Sequence, residues 1–170
     1  MNVPAPIGAM PVGTLGTLSR LETAAVRALR LWFSGPEAQS LLSDVFERNF
    51  GPQGGPRYLG AFEHFLTDLL NGSTRPIMRH SLTCHSLGAD ERAYGGLLAA
   101  AADGRREDAL VCALAFARPD QALALVAAAE GIGPVLERLS EPLEIAFAID
   151  EDPAPTTATH IPAAGERRLH

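Results

Sequence analysis

The chain has 170 residues, enough for one domain with extensions and for a core that needs no disulfide or metal staple. All fourteen basic residues are arginine, so a Schiff-base, phosphate-loop or general-base lysine is excluded, and with it pyridoxal enzymes, P-loop NTPases and ordinary kinases. The net charge of −6 is uneven: residues 140–170 hold six acids against two arginines, and this near-neutral body with an acidic tail offers no field to attract nucleic acid.

Residues 1–16 carry no charged side chain. Pro4, Pro6 and Pro11 alternate with Gly8, Gly13 and Gly16, a pattern that disfavours regular structure and reads as a flexible arm. A first helix is expected over 17–33. Ser19 and Glu22 form a capping-box pair at its start, Leu18, Leu21, Ala25, Ala28, Leu29 and Trp32 recur at helical spacing, and Arg20, Arg27 and Arg30 fall largely on the other side. Gly35-Pro36 ends it and opens a second helix over 36–50. The breaker cluster 51–56 separates this from a third helix over 56–70, whose His64 lies off the apolar stripe and reads as a surface residue.

Residues 72–88 show no clean period. A fourth helix is expected from Ala89, with Asp90 and Glu91 suited to its positive N-terminus, and ends at Asp103-Gly104. The fifth, over 105–117, is apolar nearly all round and is expected at the centre of the bundle. The sixth spans 119–130, and Gly131, Gly133 and Pro134 should break it before a short helical turn over 135–139. Helices five and six lack the polar donors and basic stripe of a helix-turn-helix reader. After Pro142, Leu143, Ile145, Phe147 and Ile149 alternate with Glu144, Ala146 and Ala148, a strand-like period of two. Three further prolines over 150–170 suggest disorder.

The expected fold is therefore all-α: an irregular bundle of six to seven short helices over 17–139, with a Pro/Gly-rich arm over 1–16 and an extended or disordered acidic tail over 140–170. Cys84 and Cys112 form no disulfide framework, which fits a reducing compartment. A signal peptide would need a basic region and a continuous apolar core, and a membrane span needs ~20 apolar residues. Neither is seen, so the expectation is a soluble cytoplasmic protein.

The densest chemistry lies in 79–91. His80, Cys84 and His85 are potential ligands for zinc, with Asp90, Glu91 or water as a fourth, although the spacing lacks the paired units of familiar zinc sites. Cys84 alone, near Arg79, His85 and a helix N-terminus, has the surroundings of a redox-responsive thiol. The bland alternative packs Cys84 as a small hydrophobe and uses the histidines as helix caps.

Three functional readings follow. The leading one is a non-enzymatic helical interaction or regulatory protein that meets a protein partner through an apolar groove or through Leu143, Ile145, Phe147 and Ile149. The second is a metal- or redox-responsive protein acting through His80, Cys84 and His85. The third is a small hydrolase or transferase with a histidine base, with Ser81, Thr83 or Ser86 as nucleophile and Asp90 as orienting group. The apolar residues of the short helices are also compatible with a homodimer.

Overall fold

A computed structural model describes residues 6–148 and, as backbone, a short strand over 158–161. The body is mostly helical. Six helices, α1 (Arg20–Trp32), α2 (Pro36–Gly72), α3 (Ala89–Ala102), α4 (Arg106–Leu114), α5 (Pro119–Arg138) and α6 (Ser140–Ala148), surround one hydrophobic core. Four short strands, β1 (Pro11–Thr14), β2 (Ile77–His80), β3 (Ser86–Gly88) and β4 (Ala158–Ile161), form two separate antiparallel pairs, β1 with β3 and β2 with β4.

Local signals set most helix ends. The Ser19 hydroxyl accepts from the Glu22 N–H at 3.2 Å, and Glu22 Oε2 accepts from the Ser19 N–H at 2.8 Å, which satisfies two N-terminal donors of α1. Pro36 opens α2 after Gly35. The breaker cluster acts at a single residue. Gly51 (φ 76°, ψ 175°) takes a backbone geometry that a side chain disfavours, and helix resumes on both sides of it. The kink brings Gly55 against the backbone of Glu47, where a Cβ would lie 2.6 Å from Glu47 Cα. It also brings the Phe46 and Phe62 rings to 6.1 Å.

The central helix is α3, not the segment expected over 105–117. α3 contacts α1, α4 and α5 and buries Tyr94, Leu97, Leu98, Ala100 and Ala101. α4 buries only Ala109 and Ala113, and leaves Val111 71% and Leu114 47% exposed. Apolar composition all round a helix marks burial or an exposed patch equally well, and here part of that surface is a patch.

The break expected at Gly131, Gly133 and Pro134 does not occur. α5 runs through them, because Gly133 sits where α5 crosses α3: a Cβ there would lie 2.7 Å from Ala102 Cβ and 3.1 Å from the Leu98 carbonyl. That glycine permits close helix contact rather than ending the helix. The arm is likewise not wholly irregular. Ile7–Ala9 form a 3-10 turn, and β1 pairs with β3 in the register Gly13 to Leu87 and Thr14 to Ser86. The segment 72–88, which shows no period in sequence, contains β2 and β3.

The strand expected over 143–149 is helix through Ala148. The Leu143 N–H donates to the Leu139 carbonyl at 2.9 Å, Leu143 is buried, Phe147 is half-buried and Ile145 is 57% exposed. Residues 143 and 147 share a helix face that 145 does not, so the alternation is equally a helical pattern. Ile149 and the greater part of the expected tail lie outside the described residues.

The two α5 glycines should respond oppositely to alanine. Gly133→Ala should cost about 1–3 kcal/mol through overpacking against Ala102. Gly131→Ala meets nothing within 4 Å and should stabilise by up to about 1 kcal/mol through helix propensity. Thermal melts of the two variants check this, and equal shifts would contradict the packing role of Gly133.

Candidate functional site

The polar centre of the molecule is built on Arg30, a residue the sequence pattern places on the solvent side of the first helix. Its side chain and that of Glu91 are both 0% exposed. The reason lies in their neighbours. Leu21, Ala24, Ala25, Val26, Ala28, Leu29 and Leu31 are all buried, so α1 is enclosed on nearly every side and a cation on it must find partners inside. Glu91 is the third residue of α3, and its carboxylate turns back to accept from the Gly88 N–H at 3.0 Å, which points it at the loop before the helix.

The contacts close a complete set. Arg30 Nε donates to Glu91 Oε1 at 2.7 Å and Nη2 to Oε2 at 2.9 Å. Nη1 donates to the carbonyls of Ser81 (3.2 Å) and Cys84 (2.5 Å), and Nη2 to that of Ser86 (2.8 Å). All five guanidinium N–H groups are thus used. Glu91 also accepts from the His80 N–H at 3.0 Å and from His80 Nδ1 at 3.0 Å, where the ring nitrogen is the donor because an ionised carboxylate only accepts. The loop 81–86 is wrapped around a cation.

Burial pushes the Glu91 carboxyl up. The hydrogen bonds from His80 and Arg30, the Arg30 charge and the Gly88 N–H outweigh that and hold it at about 2, below its ordinary 4.5.

A second pair lies beside it. Asp90 Oδ1 and Oδ2 accept from Arg75 at 2.6 and 2.7 Å, and Oδ2 also accepts from the Met78 N–H at 2.8 Å. Gly8 presses on this pair so closely that a Cβ would come within 2.0 Å of Asp90 Oδ2, so only glycine lets the arm dock there. The Leu15 N–H donates to the His85 carbonyl at 3.0 Å and ties the arm to the loop. Arg79 is buried, donates to the Phe33 and His80 carbonyls, makes no ion pair among the described residues and has an unpartnered Nε. Burial lowers its pKa, the Glu91 charge raises it and the Arg30 charge lowers it further.

The predicted site residues fare differently. His80 is 2% exposed and fixed on Glu91. Cys84 is buried, its carbonyl held by Arg30. His85, next to it, is exposed. Among the described residues no group of three or more His, Cys, Asp and Glu side chains is gathered to hold a metal. Asp90, the expected orienting group, is taken by Arg75, and Ser81 Oγ is buried without a partner. The Tyr94 hydroxyl is buried too, and desolvation raises its pKa, so it stays neutral. Cys112 is half-buried, and burial raises its thiol pKa. The cluster at 105–108 is an exposed ion-pair network, with Arg105 to Asp108 at 2.7 Å and Arg106 bridging to Glu130, of the kind that contributes little.

A concave surface with an apolar lining lies elsewhere. Two adjoining hollows of about 240 and 460 Å³ share Leu41 and Ala146 and run between the first half of α2 and α6. Ser34, Glu37, Leu82 and Phe147 line one end, and Val45, Arg48 and Ile145 the other. The Arg27 guanidinium lies 5.2 Å from the centre of the Phe147 ring and holds the end of α6 against α1. No described helix is long and apolar enough to cross a membrane. Compared with protein families, curated proteins and solved structures, the chain has no match.

Arg30 could have been found in the sequence from the alanine-rich run around it, since small residues on every side of a helix imply close neighbours and leave a charge no route to water. Its partner could not, because Glu91 is 61 positions away.

Glu91 contributes to stability only while ionised. Its pKa is depressed on folding, so the contribution is fully present above about 4.5 and is lost as pH falls through about 2, a loss of about 3 kcal/mol. Glu91→Gln should cost about 3–5 kcal/mol at neutral pH, since Arg30 stays buried without its counter-charge. Melting temperatures from pH 7 to 2 should therefore converge for the parent and the variant at the acid end. Parallel curves would contradict the role given to this carboxylate.

Proposed function

We propose that this protein is a non-enzymatic helical interaction module that receives an amphipathic helix of a protein partner in the trough between α2 and α6. The observation that carries this reading is the trough itself. It is concave and lined by Leu41, Val45, Ala146 and half-buried Phe147, and Ile145 projects at its edge with more than half its surface in water. Apolar residues at helical spacing on an incoming helix would cover that surface, and Glu37 and Arg48 at the two ends offer opposite charges to set its direction. Of the four residues read from sequence as a partner-binding strand, Ile145 and Phe147 keep that role on a helix. Leu143 is core, and Ile149 lies outside the described residues.

Catalysis has less support. Glu91, Asp90 and His80, the groups best placed for acid–base work, are held by arginines, backbone donors and one another. The metal- or redox-responsive alternative through His80, Cys84 and His85 would first have to release His80 from Glu91 and bring Cys84 out of its buried position. Two unpaired cysteines agree with a cytoplasmic location.

A photo-crosslinking residue at position 145 should capture a discrete partner, and Leu41→Asp should reduce that capture at least about tenfold, the equivalent of 1.4 kcal/mol of docking energy. The same crosslinker at Leu123, a 69%-exposed apolar residue of α5, should not capture it. Equal capture from both positions, or capture unaffected by the Leu41 change, would remove the trough from the proposal.

A further inference from the structure

We infer that β2 is an acceptor edge for the C-terminal strand of a second copy of this chain, so that β4 can be exchanged between two molecules. The first observation is topological. β2 does not share a ladder with β1 or β3, and among the described residues its backbone has a single strand partner, β4, in the register Ile77 to Ile161, Met78 to His160, Arg79 to Thr159 and His80 to Ala158. A strand edge left open is a template for another strand, and here that template is filled from the far end of the chain.

The second observation concerns how β4 is attached. It pairs over four residues only, and the next residue, Pro162, has no N–H with which to lengthen the ladder. Nine residues separate it from the end of α6, and two of them, Pro153 and Pro155, are prolines. Among the residues whose side chains are described, the core cluster is formed from residues 21–143. The β2–β4 ladder is chemically the same whether the strand comes from its own chain or from another. The balance between closed and exchanged forms is therefore set by the length of the connecting segment against the cost of association, the condition under which exchange of identical elements gives dimers.

The third observation is charge. The cluster behind β2 holds Arg30, Arg75 and Arg79 against Glu91 and Asp90, one arginine in excess. The segment that delivers β4 carries Asp150, Glu151 and Asp152. Opposite charge favours the approach of this tail over an extended peptide of unspecified sequence, and the tail has a register already fitted to β2. The second copy therefore completes the cover of β2 in the exchanged form, contributing residues 158–161 to its partner.

Two single variants of the full chain, Met78→Cys and His160→Cys, test this when mixed and mildly oxidised. These positions face each other in the β2–β4 register, so a 78–160 disulfide in the mixture requires the strand of one molecule to lie on β2 of another. Mass spectrometry of the dimer band separates this link from any through Cys84 or Cys112. We expect a 78–160 linked dimer whose fraction rises roughly tenfold for a tenfold rise in protein concentration while it remains the minor species. Thr159→Pro in the His160→Cys molecule should abolish the link by removing a ladder donor. The double variant Met78→Cys/His160→Cys serves as the control for pairing itself. If it closes its disulfide within one chain while the mixed single variants give no 78–160 link, the tail is a private strand and the inference falls. Absence of the link in both experiments would also overturn it, because β4 would then not occupy β2 at all.

Discussion

Arg30 and Glu91 are two full charges with no contact with water, and the rest of the molecule is arranged to make that tolerable. Removing an ion from water costs several kcal/mol, which a single ion pair does not reliably repay. Here the deficit is met by number. Five N–H groups on one side and two oxygens shared among Arg30, the His80 backbone and ring, and Gly88 on the other leave no unsatisfied valence in the pair. The consequence is specificity of shape. The loop 81–85 and the first residue of β3, Ser86, have three carbonyls drawn to one guanidinium, and so the loop takes one path. β2 and β3 leave that loop in fixed directions, and the arm finds β3 as its pairing edge.

The same arrangement decides what the reactive residue types of this stretch are directed at. Histidine, carboxylate and arginine gathered in a dry interior resemble a catalytic constellation in composition. What distinguishes them is that both carboxylates and the His80 ring face other members of the set. A catalytic carboxylate or imidazole needs a free lone pair or proton directed at a space that a substrate can enter. Glu91 and Asp90 each hold an arginine and backbone donors, and the hollows with open apolar walls lie between α2 and α6 instead. The buried ion-pair cluster and the apolar trough thus occupy two regions of the bundle, joined through Arg27, which spans from α1 to Phe147 at the end of α6.

Several segments show how one sequence pattern serves two structures. Leu143, Ile145 and Phe147 satisfy a period of two, but 143 and 147 are also one helical turn apart, and continuity with α5 through Leu139 decides for helix. Gly133 and Pro134 carry the signature of a helix stop, yet close contact with Ala102 uses the glycine as a spacer inside a longer helix. Gly51 behaves as its residue type suggests, because it alone of the breaker-cluster glycines adopts a positive φ between two helical stretches. In each case the residue type was informative about backbone freedom, and the neighbours decided how that freedom was used.

Local chemistry in the chain determined the helical class, the Ser19 cap of α1, the Pro36 start of α2, the onset of α3 at Ala89 and the surface position of His64, because propensity, capping and amphipathic spacing act over four residues or fewer. The tertiary structure alone decided that Arg30 turns inward, that α3 rather than α4 is central and that the arm and segment 72–88 pair as strands. It alone decided, too, that His80 belongs to Glu91. Those outcomes depend on contacts between residues 11 to 77 positions apart, where burial and pairing energies exceed the local preferences of any single segment.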